Sequence, residues 1–111
     1  MLTEKDYCDY ETCVALNELG CPITKWISGD VVSTFTLYEA QKWLREEKNI
    51  EVNASFDKKD DGWIAFIQRL DYPDLYGTDV FSTVYNTYES ALLVSIKEAV
   101  KILKEELNEE T

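Results

Sequence analysis

The chain has 111 residues, a net charge of −11 at pH 7 and no histidine. This length suits one domain that closes its own core without disulfide or metal support. Acidic residues outnumber basic ones in residues 1–36, 37–76 and 77–111 alike, and such a spread repels phosphate backbones, so direct nucleic-acid binding is not expected.

The start, MLTEKDYCDY, lacks a basic segment followed by an apolar one, so it does not read as a signal peptide. No apolar run approaches the length of a membrane span. The expectation is a soluble, cytoplasmic protein. Cys8, Cys13 and Cys21 are an odd set without an export signal, which reads as free thiols. Their C-x4-C and C-x7-C spacings, with no histidine as a further ligand, do not make a zinc site. Small buried hydrophobes are their ordinary role.

The first predicted helix runs from about Asp9 to Leu19. Gly20 can take the left-handed conformation that ends a helix, and Pro22 blocks continuation. With Asp9 as N-cap, Cys8 falls at N′ and Cys13 at N4, the two positions of a hydrophobic staple. Then Ile23, Trp26, Ile27, Val31, Val32 and Phe35 flank Ser28-Gly29-Asp30, which reads as a short irregular hairpin.

A second helix begins after Thr36 and runs to about Lys48. Leu37, Ala40 and Leu44 share one face, with Trp43 beside it. Thr36 and Glu39 stand at N-cap and N3 of a capping box, with Phe35 and Ala40 as a modest staple. The strand IEVNASF follows: Ile50, Val52, Ala54 and Phe56 alternate with Glu51, Asn53 and Ser55. DKKDDG, Asp57 to Gly62, is a polar hairpin loop. WIAFIQRL is apolar on both faces from Trp63 to Ile67, which predicts a central strand whose second face is covered by helices or a partner. The loop DYPDLYGTD leads to a third strand, Val80 to Tyr85.

The last helix is predicted from Thr87 to about Leu107. Its stripe is Leu92, Ile96, Ala99, Leu103 and Leu107, widened by Ala91, Val100 and Ile102. Asn86 and Glu89 fit the cap and N3 positions of a second capping box. The order α-(ββ)-α-β-β-β-α gives an α+β domain: an antiparallel sheet of three or more strands with helices mainly on one face.

Chemistry is sparse. Without histidine there is no Ser-His-Asp or Cys-His pair, and no phosphate-binding glycine motif is present. Asp57 could open a calcium loop, but Lys59 and Gln68 then occupy positions that require acids. Asp60/Asp61 and Asp71/Asp74 read as solvated turn residues rather than a glycosidase pair. No cofactor, metal or catalytic residue is expected, and the chain reads as a non-enzymatic protein.

The candidate contact surface is aromatic: Tyr72, Leu75 and Tyr76 in the loop before the third strand, with Tyr85 and Tyr88 nearby in sequence. Tyrosine offers large contact area at low entropic cost. The ordinary reading is that they cap the sheet end and pack on the last helix. Three uses are open: protein–protein contact, including a homodimer; an acidic nucleic-acid mimic that inhibits a DNA- or RNA-binding protein; or a small-molecule or peptide-binding module.

Two resemblances attach to these elements. The helix–strand–strand–strand–helix order from Thr36 to Leu103 resembles the double-stranded-RNA-binding domain. The lysine cluster that domain carries at its last helix is replaced here by Thr87-Tyr88-Glu89-Ser90, so its function does not carry over. In sequence, Leu19-Gly20, then Thr36, Glu39, Ala40, Lys42, Trp43, Leu44 and Arg45, then Thr87, Tyr88, Glu89, Ala91, Leu92 and Ala99 resemble a family of small uncharacterised proteins of gut bacteria and their phages or prophages. That resemblance implies a mobile-element setting and brings no activity with it.

Overall fold

The computed structural model describes residues 7–21, 36–70 and 78–109. Their order is α1 (Tyr10–Glu18), α2 (Leu37–Lys48), β1 (Ile50–Asp57), β2 (Gly62–Arg69), β3 (Thr78–Tyr85) and α3 (Tyr88–Glu109). The fold class is α+β. The strands form one antiparallel meander, β1-β2-β3, with β2 in the centre. The expected hairpin at 23–35 and the residues Tyr72, Leu75 and Tyr76 lie outside the described residues.

α1 is built by its ends. The Thr12 N–H donates to Asp9 Oδ1 at 2.8 Å, so Asp9 satisfies one of the orphan donors of the first turn. At the other end Gly20 has φ +105, Gly20 N–H reaches Asn17 O at 3.0 Å and Cys21 N–H reaches Leu16 O at 3.0 Å. That pair of bonds is a Schellman motif, with Cys21 as its apolar C″ residue and Leu16 as C3. Cys8 and Cys13 occupy the staple positions, and the Cys13 thiol points at Cys8 O, 3.6 Å away. All three cysteines are buried in one core cluster with Leu16.

α2 begins with a complete capping box: Glu39 N–H donates to Thr36 Oγ1 and Thr36 N–H to Glu39 Oε1, both at 3.0 Å. It ends at Asn49, whose φ of 57 is one that asparagine tolerates. The chain then turns directly into β1. α3 departs from the sequence reading. Its N-cap is Thr87, not Asn86: Ser90 N–H donates to Thr87 Oγ1 at 3.1 Å, and Ala91 N–H bonds Thr87 O. Glu89 therefore stands at N2 and Ser90 at N3. The reciprocal Glu bond of α2 has no counterpart here.

α2 and α3 cover the sheet face that carries Ile50, Val52, Ala65 and Ile67. Leu37, Ala40, Leu44, Leu92, Ile96 and Ala99 meet those strands and are fully buried. Each large aliphatic among them contributes about 1.5–3 kcal/mol of transfer free energy. Ser95 is buried in the same layer and is satisfied locally, its hydroxyl donating to Leu92 O at 2.7 Å. α1 packs beside α3 and is tied to it by two ion pairs, Lys97–Asp9 and Lys104–Glu18.

Two stripe residues depart from expectation. Leu107 is exposed because α3, at 22 residues, outruns the sheet beneath it. Phe56 is 48% exposed although it shares the core-facing side of β1 with Ile50 and Val52. It lies at the far end of an edge strand, beyond the helix cover.

Candidate functional site

The register of the sheet brings three aromatic residues into line. Phe56 stands opposite Trp63, and Trp63 stands opposite Tyr85. Paired residues of antiparallel strands share a face, so the row crosses all three strands at the end nearest the β1–β2 turn. Tyr88, the first residue of α3, closes over it. The Phe56 and Trp63 rings meet edge-to-face with centroids 5.3 Å apart, and Trp63 and Tyr88 do the same at 5.4 Å. The Tyr88 hydroxyl donates to Asn53 Oδ1 at 3.2 Å.

Of the sequence-expected surface, Tyr85 and Tyr88 are thus in one cluster and half-buried. Phe56 and Trp63 complete it; the sequence pattern places Phe56 on the alternating core face of the first strand and Trp63 in a central strand apolar on both faces. The available signal was register: a hairpin closing at Asp57–Gly62 forces Phe56 against Trp63. Tyr38, which shares the Tyr-Glu sequence with Tyr88, is exposed on α2.

The turn beside the row holds Asp57, Lys58, Lys59, Asp60 and Asp61. Asp57 Oδ1 accepts the Lys59 N–H at 3.0 Å, which fixes the turn. Gly62 follows because a Cβ there would collide with Val84 Cγ1 and approach Tyr85 O to 3.0 Å. Its absence lets β3 pack closely at this corner.

Both sheet edges are blunted. The outward carbonyl of Val52 on β1 accepts from Gln41 Nε2 at 2.8 Å, and the outward Ala54 N–H donates to Asn53 Oδ1 at 2.8 Å. β3 slips in register opposite the segment between Ile64 and Phe66, and such a bulge discourages further pairing.

Two clefts of about 490 Å³ each flank the helices. One lies at the C-terminal ends of α1 and α2, where Glu18 is paired with Lys104 and Glu106 with Arg69. The other lies between Tyr7–Asp9 and the start of α3 and includes the Cys8 thiol. Burial, reinforced by the neighbouring Cys13, pushes that thiol far above its ordinary range, so it is no ready nucleophile. Among the described residues no group of cysteine and acidic side chains could hold a metal ion. No described helix is long and apolar enough to cross a membrane.

Comparison with protein-family models, with characterised proteins and with solved structures finds no match to this chain.

Proposed function

We propose that this chain is a small non-enzymatic protein that works by protein–protein contact, with Phe56, Trp63, Tyr85 and Tyr88 as its contact surface. The observation that carries the reading is the 48% exposure of Phe56 at the end of a rigid aromatic row. A phenyl ring held by Trp63 costs little further entropy on binding, and aromatic anchors of this kind dominate interface energies. The blunted edges support contact through side chains rather than strand addition. The sequence resemblance adds a phage or prophage setting to the same reading.

The test is selection of peptide binders from a displayed library against the full chain. Binders should lose at least about tenfold affinity for Phe56→Ser or Tyr85→Ser, as expected for anchor residues. Tyr10→Ser, at an exposed aromatic on α1, should leave them unchanged. Equal binding to all three variants would remove the aromatic row as the contact surface.

A further inference from the structure

The three thiols of the chain gather at the two ends of α1, away from the aromatic row. The Asp9 cap sets the geometry of one pair, because Cys8 at N′ and Cys13 at N4 are the residues that a staple packs together. Cys13 Sγ lies 3.6 Å from Cys8 O, and so no more than about 6 Å from Cys8 Cα, given standard backbone bond lengths. A disulfide spans Cα atoms about 4.4–6.8 Å apart, and a sulfur this close to the partner's Cα is compatible with that span. The Cys8 thiol meets Thr36 O at 4.0 Å, a long contact from a weak donor, so turning it toward Cys13 gives up little. Access is unequal. Cys8 lines the cleft of about 490 Å³ together with Tyr7, Asp9, Thr87, Glu89 and Leu93, whereas Cys13 is 2% exposed. Burial raises the Cys8 thiol most, and among neighbouring charges Cys13 acts more strongly than Cys21, as the nearer sulfur would.

We propose that Cys8 and Cys13 form a redox-sensitive clasp on the start of α1, closed by a hydroperoxide that enters the cleft. The Cys8 thiolate attacks the terminal peroxide oxygen, the O–O bond breaks, and water or an alcohol leaves a sulfenic acid on Cys8. Cys13, its proton lost, then attacks the Cys8 sulfur; the S–S bond forms, the S–O bond breaks and water departs. Two electrons and two protons pass in all from the thiols to the peroxide. Burial keeps Cys8 protonated, so the reaction is slow near neutral pH and quickens as pH rises. The clasp therefore answers sustained oxidant, and a thiol reductant reopens it. It is independent of the aromatic contact surface.

The experiment exposes the full native chain to hydrogen peroxide and reads the product by intact mass and by mapping of linked peptides. Backbone amide resonances of the sheet, α2 and α3 follow the fold in the same samples. The chain should become lighter by two hydrogens, with Cys8 bonded to Cys13, Cys21 still free and the amide pattern of the sheet retained. Dithiothreitol should restore the parent mass. Cys21→Ala should give the same disulfide, and Cys13→Ala should give none, its Cys8 passing to sulfinic acid instead. A bond to Cys21, a bond between two chains, oxidation of Cys8 with Cys13 left free, or no reaction of the native chain overturns the clasp. Pairing accompanied by loss of the native amide pattern overturns it too, because the disulfide would then belong to the unfolded chain.

Discussion

Trp63 and Tyr88 meet edge-to-face with ring centroids 5.4 Å apart and an interplanar angle of 83°, and this contact joins the central strand to the first turn of α3. The Tyr88 hydroxyl extends the link to the edge strand through Asn53. One tyrosine therefore couples β1, β2 and α3 at the corner where the proposed contact surface lies.

Separating the ring from the hydroxyl tests this coupling. Tyr88→Phe keeps the ring on Trp63 and removes the bond to Asn53, which should cost about 1 kcal/mol in urea unfolding. Trp63→Ala removes both ring contacts from a half-buried position and should cost about 2–3 kcal/mol, less than a fully buried tryptophan. Phe56→Ser, at an exposed ring, should change stability by no more than about 1 kcal/mol. Binding and folding effects are thus separable within one cluster.

The start of α3 gives a second test, because Asn86 and Thr87 compete for the cap. Thr87→Ala should destabilise by about 1 kcal/mol, as Thr36→Ala should at α2. Asn86→Ala should fall within about 0.5 kcal/mol of the parent. Thermal or urea unfolding of the three variants reads the register directly: a larger loss for Asn86→Ala than for Thr87→Ala would reverse the cap assignment.

That cap shows how far the sequence is legible. Thr36 and Glu39 satisfy each other's backbone donors, so the local pattern alone defines α2. At α3 the template pointed one residue early, because Asn and Thr are both good caps and a Glu sits where the first would want it. The observed cap uses Ser90 N–H and places Tyr88 at N1 against Trp63, a long-range contact that no local rule contains. The strands and buried stripes were readable because alternation and helical periodicity are themselves records of burial. The exposure of Phe56 was not, since alternation says which face a residue takes and not where the helix cover ends. The cysteine spacing was partly legible: Cys8 and Cys13 as a staple follow from the Asp9 cap, whereas the role of Cys21 required the Schellman bonds.

Asp9 joins a cap to an ion pair, and pH separates the two. Burial works against its carboxylate, but the Lys97 and Thr12 hydrogen bonds outweigh that cost and hold the carboxyl below its ordinary value. The folded value is depressed, so the contribution is present above the unfolded carboxylate range, about pH 4, and is lost as pH falls through the folded value. Asp9→Asn keeps a good cap and removes the charge. At neutral pH it should be less stable than the parent by no more than about 1 kcal/mol, because the pair is substantially exposed. The difference should shrink in high salt and vanish in strong acid. A difference independent of pH would assign the whole effect to the cap.

The thiols give an alkaline counterpart. Burial first, then the nearby Cys13 and Asp9, raises Cys8 far above the ordinary thiol range. Burial, then Glu39 and Cys13, pushes Cys21 up to about 12. The unfolded thiols ionise near about pH 8.5 while the folded ones remain protonated. The unfolded state then binds fewer protons, and stability falls as pH rises from there toward the folded values. A thiol reagent at mildly alkaline pH should therefore modify Cys8 and Cys21 slowly in the native protein, and rapidly once urea opens α1. Cys21→Ala should flatten the decline in stability between about pH 8.5 and 10, before tyrosines contribute strongly. Rapid native-state labelling of Cys21, or an unchanged alkaline slope in Cys21→Ala, would show that the Schellman residue does not keep its thiol protonated.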